Sequence, residues 1–340
     1  MRFFLTSLLT VVFNLQLIAQ GCCSGGAGSP IAGGAAAGVL QENQMEISVN
    51  YQFNQSNKFY SLDQETDLLF ENLRSDYLFF RTDYGLSKKL TLSIASGYFL
   101  NKLLTDTSRP NNYSSSGLGD IIIFPRYSIY NKTANFKRTE IALGLGAKIP
   151  LGSHNDSSLV WLANAWAPGH PATDQLELNP PNVQTTSGSN DLMFYLFFFR
   201  EYQKRKLRIF MTTLHVNKGY NPSGIKFGNY TSFGLFASKT FFYRWGVTTQ
   251  LKAENIGQIK TADNFASYSI DPESTGSKKW FFIPQISYSQ DGLTVFATSE
   301  IPLYQHLNGT QIGSQHQFTI GVNYRFLTKE CESKILPLSE

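Results

Sequence analysis

The side chains with reactive or metal-binding potential in this 340-residue chain are few and scattered. Its five histidines are His154, His170, His215, His306 and His316. No two share the helical spacing of a metal site and no His-Glu-x-x-His occurs, so no metal centre is expected. A serine hydrolase needs a histidine in reach of a serine and an orienting third group. His215 is the one histidine well inside an alternating, strand-like segment, and no partner serine is identifiable for it. Gly144-Leu-Gly146 is no nucleotide loop, because no helix follows it. The residues therefore predict a non-enzyme without a cofactor. Cys22, Cys23 and Cys331 lie in the two tails. In an oxidising compartment Cys331 can form a disulfide with Cys22 or Cys23, the alternatives being lipidation of Cys22 or a thiol pair for Cu(I).

The charged residues are more informative, because they alternate with apolar ones. Residues 117–130 place Ile121, Ile123, Pro125, Tyr127 and Ile129 on one face. The other face carries Asp120, Ile122, Phe124, Arg126 and Ser128. An acid and a base on one face of so apolar a strand suit the lumen of a barrel whose other face meets lipid. The same parity turns Glu46, Arg81, Asp83, Glu140, Lys148, Lys252, Glu254, Glu300 and Arg325 inward. The candidate lumen-lining set is Arg81, Asp83, Asp120, Phe124, Arg126, Glu140, Lys148, Glu300 and Arg325. Mixed signs favour paired charges bracing a narrow interior, and a polar pathway is the functional alternative. Tyr77, Phe79, Ile122, Phe124 and Phe296 also point inward and predict a partly apolar lumen.

Positioning these residues takes twelve period-two strands. They are expected at 45–53, 77–86, 89–99, 117–130, 140–149, 192–200, 206–216, 231–241, 245–256, 279–289, 293–303 and 316–326. The connections between them alternate short and long, with the longest at 150–189. That sorting is typical of an outer-membrane barrel, with short periplasmic turns and long extracellular loops. The prediction is an all-β, transmembrane, antiparallel up-and-down barrel, closed because no backbone edge can stay unpaired in lipid. Tyr98, Trp245, Trp280, Tyr288, Tyr304 and Tyr324 fall near strand ends, where aromatic girdles belong.

Composition agrees. Charged residues are 16% of the chain, against roughly 25% in an average soluble domain. Mean hydropathy is −0.19, and only the N-terminus carries a long apolar run. Residues 1–19 read as a secretory signal peptide, with Arg2 before an apolar stretch. Residues 20–43 form a Gly/Ala/Cys-rich segment, periplasmic or tucked into the barrel mouth; 44–326 form the barrel and 327–340 a periplasmic tail. Lys204-Arg205-Lys206 is too short a run for a nucleic-acid face and reads as a solvated turn. The expected location is the outer membrane of a Gram-negative bacterium, with membrane lipid and the barrel-insertion machinery as partners.

Four segments carry a family resemblance: Gly117-Leu-Gly-Asp120, Leu143-Gly-Leu-Gly-Ala-Lys-Ile-Pro-Leu-Gly152, Val183-Gln-Thr-Thr-Ser-Gly-Ser189, and Ile301 to Ile312. Together they resemble the outer-membrane barrels grouped under the "MetA-pathway of phenol degradation", loosely related to the FadL/TodX hydrophobic-substrate transporters. The resemblance spans roughly residues 40 to 326. The 183–189 stretch lacks the Pro-Gly that members often carry, and the chain continues beyond Phe326. The resemblance implies a porin-like barrel that passes small solutes. With twelve strands and a greasy, charged interior, the solute class expected is hydrophobic or amphipathic. The alternatives are a closed-lumen structural or surface-binding protein acting through its long loops and, less favoured, a barrel-wall hydrolase.

Overall fold

The structure, a computed structural model, describes residues 38–67, 72–105, 112–162, 173–262 and 271–329. The expected signal peptide, most of the 20–43 segment, and Cys22, Cys23, His170 and Cys331 lie outside these residues.

Twelve long antiparallel strands close into one barrel. They are β1 (Gln44–Ser56), β2 (Asn72–Ser87), β3 (Leu90–Thr105), β4 (Asp120–Ala134), β5 (Lys137–Pro150) and β6 (Asp191–Tyr202). Then follow β7 (Leu207–Asn217), β8 (Tyr230–Phe241), β9 (Trp245–Ile256), β10 (Ser277–Gln290), β11 (Leu293–Ile312) and β12 (His316–Leu327). Each pairs with its sequence neighbours, and β1 pairs with β12 from Gln44↔Leu327 to Gln55↔His316. The sheet thus has no free edge to expose to lipid. Alternation decides which way each side chain points. Ile47, Ile94, Ile123, Leu145, Phe194 and Phe318 are exposed on the outer wall, while Ser48, Phe124, Met193 and Thr319 are buried inside. At the girdles, Trp245 and Tyr288 pair edge to face, and Trp280 lies opposite Tyr304.

The short turns show two kinds of chemistry. Asp291-Gly292 has positive φ at both positions (49° and 83°), the conformation that a two-residue hairpin prefers and glycine adopts freely. Phe136 (60°, after Asn135 at 50°) and Phe242-Tyr243 (45° and 62°) adopt the same region with aromatic side chains, at roughly 1–2 kcal/mol for each aromatic residue.

Three segments depart from the expected layout. The strand expected at 117–130 is broken at Gly119, whose N–H donates to the Gly97 carbonyl at 2.8 Å. The part before the break, Asn112–Leu118, pairs with the upper end of β3. Residues 304–312, expected as a loop, continue β11. They bond to β10 and then, across a register shift beside Gly309, to a short strand at Phe59–Leu62. His306 therefore sits on a strand, opposite Lys278. The long 150–189 connection is folded too, with a hairpin of Ser157–Leu162 and Thr173–Leu178. Val183 beyond it packs with Phe59, Leu73, Leu104, Tyr113, Val160 and Ile312 in a second core above the barrel.

Candidate functional site

Among the described residues, the lumen is filled at its centre and leaves a chamber toward each end. Each tier follows from which side chains the strand parity turns inward. The central filling is aromatic on one side. Phe79, Phe124, Tyr195, Phe197, Phe210 and Phe236 form a continuous cluster running from β2 to β8. Large rings fit because inward glycines on the adjacent strand leave them space. A Cβ on Gly146 would lie 2.4 Å from the Phe124 ring, and one on Gly97 would lie 2.1 Å from Tyr77. The Gly144-Leu-Gly146 pattern therefore makes room for a ring.

Beside the rings lies a buried ion network. Arg81 donates to Asp83 at 2.8 Å and to Glu46 at 3.3 Å, and Arg126 donates to Asp83 at 2.8 Å. Ser93 also donates to Asp83, and Arg325 donates to Glu46 at 2.7 Å. Arg81 is only 2% exposed, so this cluster is part of the central filling. A second inward group joins Lys252 to Glu300 at 2.7 Å and to Glu254 at 3.6 Å.

Toward the periplasm, a chamber of about 530 Å³ is bounded by residues 38–41, Arg138, Glu140, Phe199 and Arg325. Here the chain leading into β1 crosses the lumen. The Val39 N–H donates to Glu140 at 2.9 Å, and the Leu40 N–H donates to Thr91 at 2.8 Å. Gly38 lies so close that a Cβ there would meet Phe197 at 2.8 Å.

Toward the cell exterior, a chamber of about 200 Å³ has apolar walls from Tyr77, Phe99, Ile122, Met193 and Leu214. Its polar edge is a chain of ions. Lys148 pairs with Asp120 and, at 3.6 Å, with Asp191, and Lys218 pairs with Asp191 at 2.8 Å. Burial, joined by the neighbouring Lys148 ammonium, pulls the Lys218 pKa below the ordinary lysine value. Lys102 donates to the Gln184 carbonyl at 2.6 Å. Gln184, Thr185 and Thr186 come from the folded-back end of the long loop, which roofs the chamber. Thr185 and Thr186 hold that roof to the Ser153 carbonyl. Asp120 Oδ1 and Asn182 Oδ1 are buried in this lining without a donor among the described residues.

The structure thus separates the nine candidate residues. Arg81, Asp83 and Arg126 meet in the central network, and Arg325 reaches it through Glu46. Asp120 and Lys148 share the extracellular chamber. Phe124 belongs to the aromatic filling, Glu140 to the periplasmic chamber, and Glu300 to the Lys252 group. The sequence reading missed Asp191, Lys218, Lys102 and Gln184. Asp191 was accessible, because it has the inward parity of Met193 and Tyr195. Lys218 lies past a strand end, where parity says nothing. The four segments behind the resemblance converge on one place, since Asp120, Lys148, Gln184 and Gln311 all line the extracellular chamber. His215, by contrast, hydrogen-bonds Thr231 across strands at 2.8 Å. Among the described residues no group of three metal-ligating side chains occurs.

No family model matches the chain, and no curated protein does. Solved structures do. An outer membrane channel from Pseudomonas putida F1 superposes with a TM-score of 0.64 at 10% identity, covering 86% of this chain and 99% of that one. The NanC porin aligns over 82% of this chain and 98% of its own, at 11% identity and a TM-score of 0.43, which is too loose to argue from. The first likeness establishes the fold, and the closed seam and apolar outer wall agree with it. The chain is a twelve-stranded antiparallel β-barrel of the bacterial outer-membrane type.

Proposed function

We propose that this barrel is a passive outer-membrane pathway for small hydrophobic or amphipathic solutes, received at the extracellular chamber. The observation that carries this reading is the chamber's combination of apolar walls with a polar edge of Asp120, Lys148, Asp191 and Lys218. Its volume of about 200 Å³ exceeds that of an apolar protein cavity that holds benzene, roughly 150 Å³, so it suits a ligand of one-ring size. The acceptor oxygens of Asp120 and Asn182 would receive a hydroxyl or N–H from such a solute. The resemblance to barrels of the phenol meta-pathway group, and the channel named among the structural neighbours, support the same reading. No enzymatic step is assigned. The barrel-insertion machinery and membrane lipid are the chain's expected partners. Liposome swelling with the refolded barrel tests the proposal. Solute-dependent swelling is expected, and its absence for every small solute overturns it.

A second reading is a closed barrel that serves as a scaffold or binds partners through its loops. It draws on the filled centre, where Arg81, Phe79 and Phe124 are fully buried, and on residues 38–41 lying across the periplasmic mouth. The same swelling experiment separates the two.

A further inference from the structure

Three consecutive periplasmic turns, β4–β5, β6–β7 and β8–β9, gather into one basic and aromatic surface. Residues 131–138, 200–208 and 239–244 hold ten of the chain's 29 Lys and Arg residues against a single acid, Glu201. The turns are stitched together. The Gln203 N–H donates to the Phe136 carbonyl at 3.0 Å, and the Thr240 N–H donates to the Lys206 carbonyl at 3.2 Å. Lys204 Nζ stands 4.3 Å over the Phe136 ring, and Lys206 Nζ stands 3.5 Å over the Tyr243 ring. The aromatic tips nonetheless face outward, with Phe136 59% exposed and Phe242 and Tyr243 each 85% exposed.

The backbone holds these rings there against its own preference. Phe136, Phe242 and Tyr243 occupy the left-handed region, while the Asp291-Gly292 turn of the same barrel uses the relaxed pair. Strain of this kind, kept where a relaxed alternative exists, points to a role for the exposed side chains. Phe241 and Trp245 flank the Phe242–Arg244 turn and face the lipid-exposed wall, so the patch begins where the girdle ends. A surface dense in bases, fringed by aromatics and set at the hydrocarbon boundary, complements phosphate headgroups.

We infer that this three-turn face binds anionic phospholipid headgroups of the periplasmic leaflet, with Lys204, Arg205, Lys206 and Arg244 meeting the phosphates and Phe242 and Tyr243 seated among the headgroups. The inference stands apart from the solute pathway, because the patch lies outside the lumen. Sequence alone hides it, since Lys204-Arg205-Lys206 by itself is an ordinary solvated turn and only the fold brings the flanking turns beside it.

Native mass spectrometry of the refolded chain tests this, in detergent with equal phosphatidylglycerol and phosphatidylcholine of the same acyl chains. The wild-type barrel is expected to retain phosphatidylglycerol preferentially, by roughly tenfold. The triple variant Lys204→Gln, Arg205→Gln, Lys206→Gln should lose most of that preference while keeping the heat-modifiable gel shift of a folded barrel. Lys88→Gln with Lys89→Gln, on the β2–β3 turn, should leave it unchanged. No preference in the wild type overturns the inference whatever the variants do, and leaves the face to water or to an acidic soluble partner. An undiminished preference in the triple variant, or an equal loss in the Lys88/Lys89 variant, overturns it as well.

Discussion

The ring of Phe124 lies against the backbone of Gly146 on the adjacent strand, in the space that a side chain there would need. A Cβ at 146 would come within 2.4 Å of that ring and 2.9 Å of the Ile123 carbonyl oxygen. Gly146→Ala is therefore expected to destabilise the barrel by about 1–3 kcal/mol through overpacking. The midpoint of urea unfolding in lipid vesicles measures this. An unchanged midpoint would mean that Phe124 moves aside at no cost.

Asp83 accepts from Arg81, Arg126 and Ser93, and its side chain is fully buried. Removing it takes a carboxylate away from two buried guanidinium groups, leaving Arg81 with Glu46 and Arg126 with the Ser93 hydroxyl. Asp83→Ala should cost about 3–5 kcal/mol of stability. Arg81→Met in the same chain should cost less when added to Asp83→Ala than when made alone. A double-mutant cycle on unfolding reads that coupling, and additive effects would contradict the network.

The extracellular chamber sets three lysines, Lys102, Lys148 and Lys218, against Asp120 and Asp191. If ions pass this way, the balance favours anions. Lys148→Gln with Lys218→Gln should shift selectivity toward cations, as read from the reversal potential across a salt gradient. The lowered Lys218 pKa adds a pH dependence. Raising the pH removes the Lys218 charge before that of an ordinary lysine, so anion preference should fade earlier on the alkaline side. An unchanged reversal potential in the double variant would place the ion path elsewhere.

The chamber's roof depends on Val183, which is completely buried in the second core. Val183→Asp puts an unpaired carboxylate there, at a cost of roughly 2 kcal/mol or more. The roof should loosen while the barrel stays intact. Faster proteolysis within 179–190, with the heat-modifiable shift retained, is the expected result. Equal protection in both forms would show that the roof is held by its hydrogen bonds to Ser153 and Asp156 alone.

The barrel itself was legible in the sequence because its two governing patterns are local. Alternation fixes the inward and outward faces within each strand, and the sorted connections identify the two rims. Phe124 and Arg126 could be turned inward from their neighbours alone. What escaped depends on segments far apart in the chain. Residues 304–312 look like a loop by composition, yet β10 and the Phe59–Leu62 strand supply them with partners. Residues 181–187 form a roof because the second core takes up Val183 and because Thr185 and Thr186 bond to Ser153, 32 and 33 residues earlier in the chain. Lys218 joins the ion chain through Asp191, which lies 27 residues away. No periodicity encodes a meeting of that kind.

A solute pathway beginning at the extracellular chamber is read most directly by single-channel recording of the refolded barrel with a one-ring alcohol added on the extracellular side. A small steady conductance is expected, reduced by the solute in a concentration-dependent way, with weaker block in Asp120→Asn. A bilayer that stays silent with verified folded barrel, or a current indifferent to the solute, would contradict it.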